Sequence, residues 1–305
     1  MHRFTGSELA FSILSELYSV AIKSSEKELV KRILELKDFV LNERPTSVAS
    51  LNILRLIGLY ILEQGFTGVD EYIVGLREKY ERSLERAAEI MSKRIVSGEV
   101  LLSNSNSLAV RKVLRHLSEQ GKDVKIYITE SRPGNEGPLL AEYAESLGFE
   151  VYLIVDSAVR FFMKNIDKVV VGAEAVASNG AIVSKIGTSL IALIAKEARK
   201  RVFVVAPILK FSHETLYGEL LKLPEYDWRS LISEEEIAEL PVDYRARVPL
   251  YDVTPSEYID AIVTEYGLFA PQAIPLILSL VERSITSTSR SLEEVMSGLK
   301  ALVEV

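Results

Sequence analysis

Residues 169–188 read Val-Val-Val-Gly-Ala-Glu-Ala-Val-Ala-Ser-Asn-Gly-Ala-Ile-Val-Ser-Lys-Ile-Gly-Thr, and this stretch decides the fold class. The β-branched run Val169–Val171 predicts a buried strand, and a helix is predicted after it over Gly187–Arg199. Short apolar strands that alternate with helices are typical of a parallel sheet covered by helices on both faces. The other runs of this kind are Val100–Leu102, Val124–Thr129, Val151–Val155 and Val202–Ala206.

Outward from this stretch, the apolar pattern divides the chain into two parts. Residues 1–97 are predicted to form a helical domain, because apolar residues recur there at helical spacing. Residues 98–305 are predicted to form a Rossmann-like α/β domain with a mainly parallel sheet. The segment Thr254-Pro255-Ser256-Glu257 predicts a further helix, with Thr as the cap, Pro at the first position and Glu at the third.

The composition excludes several classes of protein. The chain has 305 residues and no cysteine, which excludes disulfides, thiolate nucleophiles and zinc–thiolate sites. Its net charge of −7 and the lack of a basic stripe argue against direct binding of nucleic acid. No apolar run approaches the ~18 residues that a membrane span needs, and the first residues do not resemble a signal peptide. We therefore expect a cytoplasmic protein.

Polar loops follow the predicted strands at the edge where open α/β sheets bind their ligands. Asn104 and Ser105 follow the first strand, Arg132 follows the second, and Glu174 and Asn179 follow the fourth. These hydroxyl, amide, guanidinium and carboxylate groups indicate a pocket for a small polyhydroxylated anion. Taken alone, Arg132 also fits a surface turn, and Glu174 also fits an ion pair.

The segment Lys185-Ile186-Gly187-Thr188 opens the predicted helix after the fourth strand. A helix N-terminus offers free N–H groups and a positive dipole to an anion, although the same residues also fit simple capping. Phosphate-loop and dinucleotide-binding glycine motifs are absent, so no nucleotide cofactor is expected. No metal site is expected either, because the three histidines lack metal-ligand spacing; they are His2, His116 and His213.

Three segments together carry a resemblance to a known family. Val169–Thr188, Ile128–Pro133 and Asp252–Gly267 are similar to segments of the alpha, beta and delta subunits of translation initiation factor 2B. The same superfamily contains methylthioribose-1-phosphate isomerase and ribose-1,5-bisphosphate isomerase. The resemblance implies a phosphosugar-type pocket and a dimer interface in residues 98–305.

The resemblance leaves two functions open, and two residues distinguish them. The isomerases are similar in using a cysteine and an aspartate where this sequence has Ser105 and Glu174. Serine is a poor acid–base substitute for cysteine, so we expect a non-catalytic regulatory or scaffold protein that resembles the alpha subunit. Its implied partners are a second copy of itself and the GTP-binding initiation factor that carries initiator tRNA. The alternative is an aldose–ketose isomerase of phosphorylated ribose, which the isomerase-like segment Arg44–Leu51 favours.

The expected ligand under either function is a sugar phosphate or a nucleoside monophosphate. Cations and helix N–H groups form charge-assisted bonds with phosphate, whereas neutral amides and hydroxyls suit sugar oxygens. We therefore place Arg132, Lys185, Gly187 and Thr188 at the phosphate, and Asn104, Ser105, Glu174 and Asn179 at the sugar hydroxyls.

Overall fold

The computed structural model describes residues 5–212, 214–217, 221, 223–226, 247–278 and 290–303. The chain begins with four helices, which confirms the predicted helical N-terminal region. The three breaks between them fall at Ser24 and Ser25, near Arg44, and between Gly65 and Gly68. These helices are α1 (Gly6–Lys23), α2 (Glu26–Glu43), α3 (Val48–Gln64) and α4 (Val69–Ser92).

The start of α1 has a complete capping box, and this fixes where the first helix begins. The Thr5 hydroxyl accepts from the Glu8 amide at 3.2 Å, and the Glu8 carboxylate accepts from the Thr5 amide at 2.7 Å. The box satisfies two amide groups that a helix start otherwise leaves without partners. The box therefore fixes the first turn of α1.

A seven-stranded sheet follows α4, with the order β12-β11-β7-β4-β1-β2-β3. Every neighbouring pair is parallel except β11 and β12, so the predicted mainly parallel sheet is confirmed. The strands are β1 (Val100–Ser103), β2 (Lys125–Thr129), β3 (Glu150–Ile154), β4 (Lys168–Gly172), β7 (Arg201–Val205), β11 (Ala261–Thr264) and β12 (Gly267–Phe269).

Helices cover both faces of this sheet, and alternate residues of each strand divide between two cores. Leu101 and Val170 face the core shared with α1–α4, while Leu102 and Val171 face the other. The helices are α5 (Leu108–Glu119), α6 (Gly137–Ser146), the short α7 (Val159–Phe162) and α8 (Thr188–Glu197). Burial on both faces explains why the strands read as continuous apolar runs.

Smaller strands lie where the sequence predicted a loop and a helix. The predicted loop after β4 contains the hairpin of β5 (Ala175–Val176) and β6 (Ile182–Lys185). The predicted helix at Thr254 is wrong: β10 (Tyr251–Thr254) pairs with β6, and only one 3₁₀ turn follows, over Ser256–Tyr258. The capping residues open that turn, but the next apolar residues form β11 inside the sheet. A two-stranded sheet joins β8 (Glu225–Tyr226) and β9 (Val248–Pro249).

The helix α9 (Leu292–Val303) returns to the N-terminal helices and packs against α3. Gly58 of α3 and Gly298 of α9 give the close approach, because a Cβ at either position would meet the facing Val295 or Leu62 side chain. The predicted domain boundary at residues 97 and 98 remains a prediction. Among the described helices, none is long and apolar enough to cross a membrane.

Candidate functional site

A cavity of about 660 Å³ lies at the carboxyl ends of β1, β2 and β4. The loops after these strands line it, together with the ends of α1 and α2, the β6 and β10 strands and the turn after β7. Of the predicted site residues, Asn104, Ser105, Glu174 and Lys185 contribute to its wall. The structure therefore brings half of the predicted set to one place.

Ser105 lies in the loop after β1 with an unusual backbone conformation. Its φ angle is 64°, in the left-handed region that residues other than glycine rarely adopt. The Ser105 amide donates to the Ser131 hydroxyl at 2.7 Å, which ties the loops after β1 and β2 together. Such conformations cost of order 1–3 kcal/mol and cluster at functional sites. Here the conformation holds a half-buried Ser105 at the cavity wall.

Asn104 is buried and uses its side chain to join neighbouring loops. Its Oδ1 accepts from the hydroxyls of Thr129 and Ser131 at 2.8 and 2.6 Å. Its Nδ2 donates to the Thr188 hydroxyl at 3.0 Å. Because these bonds occupy both ends of the amide, the geometry favours a supporting role for Asn104.

Glu174 follows β4, and its carboxylate meets the first turn of α1. Glu174 Oε1 accepts from the Gly6 amide at 3.1 Å. Glu174 Oε2 is buried and has no hydrogen-bond partner among the described residues. A helix N-terminus favours a negative charge, so the first turn of α1 stabilises the carboxylate of Glu174, a residue that lines the cavity.

Three cations line the cavity, and the sequence analysis had assigned only Lys185 to the site. Lys185 Nζ lies 2.6 Å from Glu136 Oε1, and both side chains are largely buried. Lys210 is buried, donates from Nζ to the Ala173 carbonyl at 2.7 Å, and has its pKa lowered by that burial. Arg44 ends α2 and is 8% exposed. These positive charges suit a ligand with phosphate groups.

The backbone amides at the start of α8 already donate hydrogen bonds to the carboxylate of Asp252. The amides of Gly187 and Ser189 donate to Asp252 Oδ2 at 2.9 and 3.1 Å. The Thr188 hydroxyl donates to the Lys185 carbonyl at 2.7 Å. Neither Gly187 nor Thr188 lines the cavity. The carboxylate of Asp252 in β10 occupies the helix start at which a phosphate was predicted.

Arg132 and Asn179 also lie outside the cavity wall. Arg132 is exposed, and its amide donates to Asp156 Oδ2 at 2.8 Å. Asn179 lies in the turn between β5 and β6, where its side chain accepts from the Ala181 amide at 3.0 Å. The ligand roles of both residues stay predictions.

Arg44 and Lys210 were not predicted as site residues, although the sequence contains one feature that points to each of them. Arg44 begins the isomerase-like segment, and Lys210 ends a loop that follows a predicted strand. Neither signal indicates that the side chain is buried and aimed at the cavity. No group of side chains able to hold a metal occurs among the described residues, which exclude His2 and His213.

Replacing Asp252 with Asn is expected to remove one component of the pH dependence of stability. Burial raises the pKa of Asp252 to about 6, although the two amides oppose this. The folded protein then binds this proton more tightly than the unfolded chain, so the Asp252 contribution to stability falls as pH rises from about 4 to about 6. The fall is at most about 1.4 kcal/mol per pH unit. Urea unfolding of the parent and Asp252→Asn at several pH values measures it.

The control for this measurement is Asp260→Asn, at an exposed aspartate that accepts from the Val202 amide at 2.8 Å. The difference between the parent and each variant cancels the contributions of all other carboxylates. A difference between the parent and Asp252→Asn that stays constant from pH 4 to pH 7 would contradict the prediction.

Comparison with known proteins identifies the family to which this chain belongs. A family model described as the initiation factor 2 subunit family, IF-2B, matches residues 5–271. The chain belongs to the initiation factor 2 subunit family. Among curated IF-2B relatives, ribose 1,5-bisphosphate isomerase of Archaeoglobus fulgidus is 38% identical, over 90% of each chain. Translation initiation factor eIF2B subunit alpha of Dictyostelium discoideum is 33% identical, over 65% of this chain and 64% of the relative.

Several solved structures share the fold of this chain. Translation initiation factor eIF-2B of Pyrococcus horikoshii OT3 superposes with a TM-score of 0.77 at 28% identity, over 89% of this chain and 93% of that chain. The 5-methylthioribose 1-phosphate isomerase of the same organism gives 0.71 at 24%, over 90% and 83%. The tetrameric eIF2B-beta2-delta2 complex of C. thermophilum gives 0.65 at 18%, over 91% and 89%.

The IF-2B relatives overturn one functional prediction. Archaeal relatives that are 33% to 39% identical to this chain are named ribose 1,5-bisphosphate isomerase. The expected non-catalytic protein like the alpha subunit is therefore wrong, and the relatives support the isomerase alternative. Serine at position 105 and glutamate at position 174 are therefore not sufficient to distinguish the two functions.

Proposed function

We propose that this protein is an aldose–ketose isomerase that acts on ribose 1,5-bisphosphate or a related phosphorylated ribose. The observation that carries the proposal is the buried Glu174 Oε2, which lacks a partner among the described residues and belongs to a residue that lines a cavity with three cations. A buried carboxylate oxygen without a donor is costly, and a sugar hydroxyl supplies that donor. The isomerase relatives add support.

The proposed reaction moves one hydrogen between neighbouring carbons of the sugar. The bond from C1 to the ring oxygen breaks, its electron pair stays on the ring oxygen, and that oxygen takes a proton. The hydrogen on C2 then moves to C1 with its electron pair, and the C2 hydroxyl loses a proton to become a carbonyl. The balance needs one acid and one base but no oxidant or cofactor.

Glu174 is the base in this proposal, because its free oxygen suits the proton of the C2 hydroxyl. The first turn of α1 holds the other oxygen, so the carboxylate is oriented before the substrate binds. The Ser105 hydroxyl keeps its proton at neutral pH, and it therefore contributes a hydrogen bond to a sugar oxygen. Its left-handed backbone brings it to the same cavity.

The charges of the cavity favour a ligand with more than one phosphate. Arg44, Lys185 and Lys210 outnumber the two carboxylates, Glu136 and Glu174, that share the lining. Lys185 is already paired with Glu136. A phosphate group that binds Lys185 must therefore lie beside the Glu136 carboxylate. Arg44, at the end of α2, is the proposed contact of the second phosphate group.

Turnover of ribose 1,5-bisphosphate by the purified protein tests this function. We expect formation of ribulose 1,5-bisphosphate, followed by phosphorus and proton NMR, with kcat on the order of 1 per second or faster. 5-Methylthioribose 1-phosphate is the comparison substrate, because it presents the same C1 and C2 but lacks the second phosphate. If neither sugar were converted, although ribose 1,5-bisphosphate bound in calorimetry, the isomerase would be refuted.

We also propose that the protein self-associates through its C-terminal part, as the resemblance implies and as the assembled structural neighbour supports. Leu276 and Tyr266 of this part are 63% and 66% exposed, and a second copy of the chain would cover such apolar surface. Ile274 and Leu278, which flank Leu276 in the sequence, are instead buried in the chain's own core. Light scattering at micromolar concentration is expected to show more than the 34.0 kDa of one chain, and a monomer would contradict this.

A further inference from the structure

Lys210 lies in the 3₁₀ turn Ile208–Lys210 that follows β7, and its position is unusual for a lysine. It is 4% exposed, whereas lysine is almost never buried without a charged partner. Its Nζ donates to the carbonyl of Ala173, the residue before Glu174. Both Lys210 and Glu174 line the cavity, so an ammonium group and a carboxylate share one site.

Asn52 of α3 fixes the backbone on both sides of Lys210. Asn52 Nδ2 donates to the Leu209 carbonyl at 2.8 Å and to the Phe211 carbonyl at 2.9 Å. The Ile208 amide donates to Glu265 Oε2 at 3.0 Å, which holds the start of the same turn. Two side chains from different parts of the fold therefore hold the turn that carries Lys210.

The isomerisation requires an acid, and three other polar residues of the cavity do not supply it. The ring oxygen must take a proton when its bond to C1 breaks, and Ser105 holds its proton too tightly to give it up. Arg44 cannot lose a proton in a protein. Lys185 is engaged with Glu136 at 2.6 Å. Lys210 bonds only a neutral carbonyl in the described structure, and it is the remaining cation of the cavity.

We propose that Lys210 is a catalytic residue of this isomerase, which donates the proton to the ring oxygen, and that Asn52 is its positioning residue. The inference rests on the function proposed above. In the forward reaction, Lys210 loses a proton to the ring oxygen while Glu174 gains the proton of the C2 hydroxyl. Transfer of a proton from Glu174 to Lys210 restores the starting state, so the protons balance over a turnover.

The electrostatics of the site agree with this role. Burial lowers the pKa of Lys210, and the negative charge of Glu174 opposes that change. A lysine with a lowered pKa is a stronger acid than one in water, which helps it to protonate a leaving oxygen. The charged groups that face Lys210 across the cavity or hold its turn are Glu174, Lys185, Arg44, Glu136 and Glu265.

The test compares Lys210→Met and Lys210→Arg with the parent on ribose 1,5-bisphosphate. Methionine removes the proton, whereas arginine keeps the positive charge but cannot release a proton. We expect both variants to lose about 10²–10⁴-fold in kcat, with little change in KM. In the parent, kcat is expected to fall as pH rises through the pKa of Lys210, and this alkaline fall should be absent in Lys210→Met.

The matched control is Lys122→Met, because Lys122 also donates to backbone carbonyls, those of Ser92 and Ile95, and lies away from the cavity. An Asn52→Ala variant with a folded circular-dichroism spectrum should lose kcat with little change in KM. A Lys210→Arg variant as active as the parent would overturn the proton-donor role and leave only a need for charge. If the parent is active and Lys210→Met has the same kcat, only the role of Lys210 is refuted. If the parent converts no sugar phosphate, the isomerase function itself is refuted.

If Lys210→Met fails to fold, Lys210→Ala provides the second measurement. The deleted side chain leaves room for methylammonium, which should restore part of kcat in proportion to its concentration. Tetramethylammonium at equal ionic strength carries no proton to donate and should restore nothing. Equal recovery with both salts would overturn the role of Lys210 as an acid.

Discussion

Replacing Glu174 with Gln is expected to lower kcat for ribose 1,5-bisphosphate by about 10²–10⁴-fold, the usual contribution of a general base. Glutamine has nearly the same shape, and its oxygen can still accept from the Gly6 amide that Glu174 bonds at 3.1 Å. The fold should therefore be kept while the base is lost. Steady-state kinetics, with a thermal melt to confirm folding, measures the effect.

The matched control for Glu174→Gln is Glu99→Gln. Glu99 is a partly buried glutamate that lies 2.5 Å from Lys168 just before β1, at the opposite edge of the sheet from the cavity. We expect this control to lose some stability and to keep kcat. If Glu174→Gln were as active as Glu99→Gln, Glu174 would not be the base.

Replacing Gly6 with Ala is expected to lower kcat by about 10²-fold, because a displacement near 1 Å of a catalytic group has that cost. A Cβ built on Gly6 would overlap the Glu174 carboxylate. Either the carboxylate or the first turn of α1 must move, and in both cases the geometry of the site changes. Kinetics with ribose 1,5-bisphosphate measures the loss.

The control for Gly6→Ala is Gly75→Ala, at a helical glycine of α4 whose added Cβ would meet nothing within 4 Å. Alanine there should stabilise the protein by up to about 1 kcal/mol and leave kcat unchanged. A Gly6→Ala variant with parental kcat would show that the approach of α1 does not set the position of Glu174.

The apolar pattern was sufficient to predict the central strands and their helices. Val169–Val171 and Val202–Ala206 are buried on both faces, so almost every residue in each run is apolar. β10 could not be predicted in this way, because it is a short strand of a small sheet and its ending carries capping residues that also suit a helix. Local signals cannot show which of these two structures the tertiary pairing selects.

Part of the candidate site could be predicted for a different reason. Loops after parallel strands meet at one edge of the sheet, and Ser105 and Glu174 lie in such loops. Gly6 and Arg44 come from the helical region that precedes the sheet, so only the packing of those helices brings Gly6 to Glu174 and Arg44 to the cavity. Asp252 was missed because its contact with α8 depends on the pairing of β10 with β6.

The contact between Gly6 and Glu174 has a consequence for how this site can diverge. The longer carboxylate of Glu174 reaches the backbone amide of residue 6 only because that residue has no side chain. A change from Glu174 to the shorter aspartate would break this bond, and a side chain at residue 6 would exclude the glutamate. The two positions should therefore show epistasis, so that their effects on activity do not add and their identities covary among relatives.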